Sequence, residues 1–184
     1  MAQQPPKVKS STIVYNGFFN VKQDILERHD GCTGPYTSLI MPTPAAIILA
    51  QDEQGFWIIN KEYRHPTGQI VLGCCGGRLE PGEDPVQGAQ RELFEETGYW
   101  SDHIELLGEC YQCPAITDQI IFYYFAAKAK PKGGQQLDPL EYIEPCLMSE
   151  QDLENALRSS IPVDASLFTA LWLWKSRRAS DLVK

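Results

Sequence analysis

The chain has 184 residues, enough for one domain with a sizeable core. Its content of 43% hydrophobic and 22% charged residues is typical of a soluble globular protein. The net charge of −8 argues against a surface that binds nucleic acid or an anionic membrane, since both need clustered lysine and arginine.

The predicted elements begin after a polar start that contains prolines. Residues 1–11 are expected to form a mobile tail. Residues 12–43 form an N-terminal segment with predicted strands at 12–15, 18–26 and 36–41.

The remaining residues, 44–184, are expected to form a mixed sheet with helices packed on it, which is an α+β arrangement. Its strands are predicted at 45–50, 56–63, 69–75, 104–111, 120–129 and 143–148. Its helices are predicted from Pro85 to just before Gly98, at 150–158 with Ser149 as N-cap, and from 165 to about 179.

Neither a membrane span nor a secretory leader is expected, because no apolar run is long enough and the N-terminus has no apolar core. A cytoplasmic location and no disulfides follow as expectations. Cys110 and Cys113 have the spacing of a zinc or redox pair, but adjacent Cys74 and Cys75 make a poor second pair. We interpret the cysteines as buried free thiols, with zinc as the alternative.

The stretch from Gly77 to Tyr99 reads GRLEPGEDPVQGAQRELFEETGY and has the signals of a capped helix. Asp84 is a good N-cap, Pro85 suits the first turn, and Gly98 suits the C-terminal stop. A buried stripe is predicted from helical spacing, consisting of Val86, Ala89, Leu93 and Thr97.

Glu92, Glu95 and Glu96 fall on another face of this helix, at spacings that bring their carboxylates together. Three such charges repel one another unless hard divalent cations sit among them. The alternative is a solvated acidic face with ordinary ion pairs. The glycine-rich loop before the helix favours the metal site.

The spacing resembles the signature of the Nudix hydrolases, G-x5-E-x7-R-E-U-x-E-E-x-G-U with U apolar. The resemblance implies an α/β/α sandwich with a mixed sheet and additional N-terminal antiparallel strands. It assigns structural roles to Gly77, Glu83, Arg91 and Gly98, with Arg91 bracing Glu83.

The same resemblance implies a metal-dependent hydrolase. Mg²⁺, with Mn²⁺ as a possible substitute, would be bound by Glu92, Glu95, Glu96 and the carbonyl of Gly76. The three glutamates are also the catalytic candidates, since metals screen the phosphate charge and activate a water.

The flanking sequence resembles the branch of ADP-ribose pyrophosphatases and nucleoside-diphosphate-sugar hydrolases. Residues 12–43 look like the strands through which that branch forms homodimers. Arg64 matches the arginine of the branch's Gln-Tyr-Arg-x-Pro segment, and Pro114 matches its marker for ADP-ribose-type substrates. These two residues are the substrate-binding candidates, together with Arg78 and Tyr36.

Two departures from the branch concern the site. Gly73 stands where the branch usually has a glutamate, and no glutamate follows Pro114. The acid nearest to Pro114 is Asp118, which is therefore a candidate general base, with a glutamate of the signature as the alternative. The alternative role for Asp118 is to cap the turn before the strand at Ile120.

The expected reaction is hydrolysis of the pyrophosphate bond in a nucleoside diphosphate linked to another group. For ADP-ribose the products would be AMP and ribose 5-phosphate. The alternatives are hydrolysis of GDP-mannose or another nucleotide sugar, and, in a different class, a non-catalytic nucleotide-binding regulator.

Overall fold

The computed structural model describes residues 4–181, in which the chain forms eleven strands and three helices in two compact units. The strands are β1 (Lys7–Asn16), β2 (Asn20–Glu27), β3 (Thr33–Ile40), β4 (Ala45–Asp52), β5 (Trp57–Arg64), β6 (Gln69–Gly73), β7 (Cys75–Arg78), β8 (Tyr99–Trp100), β9 (His103–Tyr111), β10 (Ile120–Pro131) and β11 (Ile143–Met148). The helices are α1 (Pro85–Thr97), α2 (Glu150–Leu157) and α3 (Ala165–Asp181).

The first unit consists of the described residues up to Pro44 together with Cys110–Ile120. β1, β2 and β3 form an antiparallel three-stranded sheet in that order. The second segment joins it at Leu39, whose backbone N–H donates to the carbonyl of Ile116 at 2.8 Å. The predicted domain of residues 44–184 includes this segment, which contacts β3 although the two are far apart in sequence.

The prediction of a mobile tail at residues 1–11 is wrong for residues 7–11, which belong to β1. The Ser11 hydroxyl donates to the buried Asp24 carboxylate at 2.5 Å, and Lys9 pairs with Glu27 at 3.2 Å. Every residue of β1 is exposed, so its sequence has no burial pattern from which a strand could be predicted. Residues 1–3 lie outside the described part.

The second unit, from Ala45 to Glu109 and from Ile121 onward, contains a mixed sheet. The main path is β11-β5-β4-β10-β8; β6 also pairs with β5, β7 with β4 and β9 with β10. β4 and β10 are parallel, whereas the β4–β5 and β5–β11 pairs are antiparallel.

Helices cover both faces of this sheet. On one face α1 contributes Ala89 and Leu93 to a cluster with Ile48 and Ile58. On the other face, α2 and α3 pack against strand side chains. This cluster includes Leu49, Trp57 and Ile59 from the strands and Leu153, Leu167 and Trp174 from the helices. Because β4 is buried on both faces, it reads as a continuous apolar run. The predicted α+β class and α/β/α sandwich are thereby confirmed.

Three local predictions need correction. The single strand predicted at 69–75 is two strands, because the chain leaves β5 after Gly73 and pairs with β4 from Cys75. Val86 is 37% exposed, since it lies in the first turn of α1. The six cysteines are free, but only Cys74 and Cys75 are buried and Cys146 partly so; Cys32, Cys110 and Cys113 are exposed.

Across residues 4–181, no helix has both the length and the apolar character needed to cross a bilayer.

Candidate active site

The acidic helix α1 has the predicted start and stop. The Asp84 carboxylate accepts the Val86 N–H at 3.0 Å, and Gly98 has a left-handed φ of 74° and donates its N–H to the Phe94 carbonyl at 2.7 Å. A Cβ on Gly98 would lie 2.3 Å from the carbonyl oxygen of Gly133. Glycine is therefore required there both for conformation and for space.

Arg91 ties the glycine-rich loop to α1. Its Nε donates to Glu83 Oε1 at 2.9 Å and its Nη2 to Glu83 Oε2 at 3.0 Å, a bidentate pair. The same Glu83 oxygen accepts the Glu80 N–H at 2.9 Å. These hydrogen bonds, with the Arg91 guanidinium first among them, lower the pKa of Glu83. The loop is thus anchored by a carboxylate that stays ionised.

Glu96 is the most constrained carboxylate of the site. Only 5% exposed, it accepts two hydrogen bonds at Oε2, from Asn60 Nδ2 at 2.8 Å and from the Gly76 N–H at 3.0 Å. Burial, reinforced by the charge of Glu92, raises its pKa well above the ordinary value. Both donors engage the same oxygen, which leaves the orientation of the carboxylate fixed.

Asn60 reaches Glu96 from β5 and was not anticipated from the sequence. Its side chain has no exposed surface, and its Oδ1 is a buried acceptor without a hydrogen-bond partner among the described residues. A lone asparagine in the apolar strand WIINKEYR was the available signal, since a buried amide in such a strand needs a polar neighbour.

Glu92 and Glu95 are both held by Arg91, whose Nη1 donates to Glu92 Oε1 at 2.9 Å and to Glu95 Oε2 at 2.8 Å. Burial raises the pKa of Glu92 to about 7, against the opposing effect of Arg91. Gly77 faces this carboxylate so closely that a Cβ would lie 2.6 Å from Glu92 Oε1. A larger residue at position 77 would displace the Glu92 carboxylate from its present place.

Two further acids of this region, Glu62 and Glu141, were not predicted as site residues from the sequence. The negative charge of Glu141 helps to raise the pKa of Glu62, Glu92 and Glu96, after burial as the main cause in each. The loop before β11 that carries Glu141 is bound to α1, since Gln135 Nε2 donates to the Glu96 carbonyl at 2.6 Å. The residues around Glu141 form no recognisable pattern in the sequence, so only its place in the fold identifies it.

The donor set fits a divalent cation. The raised pKa values of Glu92 and Glu96 show that the carboxylates of this partly buried region are not balanced by nearby positive charge. Carboxylate oxygens are hard ligands, which divalent cations such as Mg²⁺ prefer. Within residues 4–181, however, no three His, Cys, Asp or Glu side chains form a ready-made cage. Arg91 instead engages one oxygen each of Glu92 and Glu95. A cation would therefore bind as these contacts rearrange.

The predicted substrate residues fall in both units. In the second, Arg64 ends β5 and forms an ion pair with Glu62 at 2.5 Å, and the Arg78 carbonyl accepts from Arg91 Nη2 at 3.4 Å. In the first, Pro114, Tyr36 and Asp118 line one cavity of about 370 Å³.

Two of these side chains, Tyr36 and Asp118, form hydrogen bonds within the first unit. The Tyr36 hydroxyl donates to the Ala115 carbonyl at 2.7 Å, and Asp118 Oδ1 accepts the Met41 N–H at 2.9 Å. Asp118 thus bonds to the residue that follows β3 and not within its own turn, and its alternative role as a cap of that turn stays a prediction.

Both the sequence and the fold of the chain resemble those of known proteins. The model of the NUDIX domain family matches residues 41–170. The ADP-ribose pyrophosphatase of Bacillus subtilis (strain 168) is 32% identical over 121 residues, which are 65% of this chain and 64% of that protein. The methanol dehydrogenase activator of Bacillus methanolicus is 30% identical over 152 residues, 82% of this chain and 80% of that one.

A crystal structure of an ADP compounds hydrolase has the same fold, with a TM-score of 0.87 over 98% of both chains at 21% sequence identity. The family match covers more than half of the chain and includes the loop, the arginine brace and the three glutamates of α1. By fold, signature and sequence similarity, the chain belongs to the NUDIX domain family.

Proposed function

We propose that the chain hydrolyses the pyrophosphate bond of a nucleoside diphosphate linked to another group, with ADP-ribose as the substrate and AMP and ribose 5-phosphate as products. The observation that carries the proposal is Glu96, a nearly fully buried carboxylate held at one oxygen by Asn60 and Gly76 beside Glu92. Keeping such a group buried costs stability, which is understandable if it binds a cation during the reaction. The similarity to an ADP-ribose pyrophosphatase supports the choice of substrate.

In this proposal, the residues of the site have three different roles. Glu92, Glu95 and Glu96 would hold Mg²⁺, or Mn²⁺ in its place, with the Gly76 carbonyl. When bound, the metal screens the phosphate charge and makes water a better nucleophile. Arg91 and Glu83 fix the loop on which Gly76 and Gly77 lie, so that the oxygen ligands keep their spacing. Arg64 and Arg78 would contact the substrate's anionic groups.

The general base is an acid outside the signature. Asp118 was the sequence candidate, but its carboxylate accepts a backbone hydrogen bond from Met41. Like Asp118, Glu141 accepts one backbone N–H, from Asp138 at 2.9 Å, but its loop is bound through Gln135 to the helix that carries Glu92 and Glu96, and its side chain is exposed to solvent. We therefore favour Glu141 over Asp118 for this role.

A panel of nucleoside diphosphate derivatives with Mg²⁺, with products separated by chromatography, tests the proposal. We expect release of AMP from ADP-ribose at a higher kcat/KM than release of GMP from GDP-mannose. Preference for GDP-mannose would replace ADP-ribose by a nucleotide sugar within the same reaction class. Binding of the panel without turnover of any member would favour the non-catalytic regulator instead.

The homodimer and the cytoplasmic location stay predictions. β1 supports the former, because Val8, Ile13 and Val14 are each about half exposed, at 58%, 49% and 56%. Apolar residues in this number on an edge strand favour a partner that covers them. Light scattering at micromolar concentration measures the oligomeric state directly, and a monomer would contradict the prediction.

A further inference from the structure

The second unit contains a cavity of about 330 Å³ in which lysines converge. Lys128, Lys130 and Lys132 line it together with Trp100 and His103. No lining residue belongs to the carboxylate site described above. Three cations in one cavity are notable in a chain whose 24 acidic residues outnumber its 16 lysines and arginines.

A backbone irregularity places these lysines. The register between β10 and β4 shifts between Ala126 and Ala129, which marks a β-bulge. Lys128 lies in the bulge with a φ of 55°, and it is the only residue other than glycine with positive φ in the described part of the chain. As a result Lys128 and Lys130 flank the buried Ala129 and both reach the cavity.

This conformation is unfavourable for lysine, because a side chain at positive φ crowds the backbone and only Gly, Asn and Asp adopt it readily. Strained positions persist where the surrounding structure and the function need them. At this position the strained backbone places Lys128 in the lining of the cavity.

The charges of the cavity are only partly compensated. Lys130 pairs with Glu53 at 3.1 Å, and Asp102 accepts the Trp100 indole N–H at 3.0 Å. The Lys132 ammonium lies 3.4 Å from the centroid of the Trp100 ring, which holds it in place without neutralising it. Among the described residues, no carboxylate forms an ion pair with Lys128 or Lys132.

We propose that this lysine pocket binds a small phosphorylated ligand through its phosphate group, at a site separate from the carboxylate site. Lysine ammonium groups bind phosphate as point charges, and two of them here lack an acidic partner while a third is shared with Glu53. The volume lies at the lower end of the range for small-molecule pockets, about 300–1,000 Å³, so the ligand is small.

Titration calorimetry of the full chain with inorganic pyrophosphate tests the proposal. Chelator is present throughout, so that metal-dependent binding at the carboxylate site does not contribute. Lys128→Asn is the main variant, because asparagine tolerates positive φ. We expect about ten- to hundredfold weaker binding, as for loss of one hydrogen bond to a charged group. Its melting temperature should stay equal or rise, and its hydrolytic activity should stay unchanged.

Lys175→Asn is the matched control, since Lys175 is an exposed lysine of α3 that does not line the cavity. It should bind pyrophosphate as the unmodified chain does. Lys132→Met provides a second test that preserves contact with the Trp100 ring, and it should weaken binding to a similar degree.

Absence of pyrophosphate binding by the unmodified chain would overturn the lysine pocket. So would binding by Lys128→Asn and Lys132→Met at unmodified affinity, or equal weakening in Lys175→Asn. Competition against bound pyrophosphate by sulfate and by inorganic phosphate, at matched ionic strength, separates phosphate recognition from general attraction of anions. If sulfate competes as well as inorganic phosphate does, the site is not a phosphate site and the proposal fails.

Discussion

Replacing Asn60 by leucine removes the hydrogen bond that orients Glu96 while keeping a side chain of similar size in the core. The lost bond, 2.8 Å long and made to a buried carboxylate, is worth about 1.5–3 kcal/mol. The change also removes the unpartnered Oδ1, whose burial costs about 1–3 kcal/mol. The two effects oppose each other, so we expect little change in the free energy of unfolding.

Activity should respond differently from stability. Without the Asn60 donor, the ionised form of Glu96 loses stabilisation, and its pKa, already raised by burial, rises further. Because the ionised form binds the cation, kcat should fall at least about tenfold at neutral pH. The acidic limb of the pH–rate profile should move to higher pH.

The assay is initial rate against pH with saturating Mg²⁺, accompanied by urea unfolding of both proteins. Asn155→Leu is the control, since Asn155 is exposed on α2 and its side chain accepts a hydrogen bond from the exposed Gln151. An Asn60→Leu enzyme with unchanged kcat and an unchanged acidic limb would refute the positioning role. A fall in stability of several kcal/mol with proportional loss of activity would mean that the amide is purely structural.

Four further predictions concern the carboxylates. Glu96→Gln removes the charge from the most buried ligand and should lower kcat by orders of magnitude while the circular dichroism spectrum stays that of the unmodified chain; wild-type turnover with Mg²⁺ would exclude Glu96 as a ligand. Chelation should stop hydrolysis and Mg²⁺ should restore it, whereas a requirement for stoichiometric zinc would contradict an oxygen-ligand site. In the metal-free protein the raised pKa of Glu92 means that the folded state holds a proton that the unfolded state has released. The melting temperature should therefore fall as pH rises from about 4.5 to about 7, and Mg²⁺ should reverse the fall at pH 7. Glu141→Gln should lower kcat strongly with little change in substrate affinity. Asp118→Asn should mainly lower the melting temperature, because the bond to Met41 is lost. The reverse pattern would restore Asp118 as the base.

The sequence by itself determined the helix α1 and the acidic residues on it. Asp84, Pro85 and Gly98 act on the backbone within one or two residues of themselves, so their effects can be predicted locally. The spacing of Glu92, Glu95 and Glu96 follows from the helical period alone. The runs at 45–50 and 56–63 likewise predicted strands, because an apolar run bounded by turn residues is a local signal.

The tertiary structure decided which distant residues complete the site. Asn60 reaches Glu96 only because the register of the sheet places β5 beside the loop that precedes α1. Glu141 is near the same carboxylates because its loop is bound to the C-terminal turn of that helix. Lys128 faces a cavity because of a bulge in the pairing of β10 with β4. Such contacts depend on strand register and loop paths over the whole chain, which local sequence patterns do not encode.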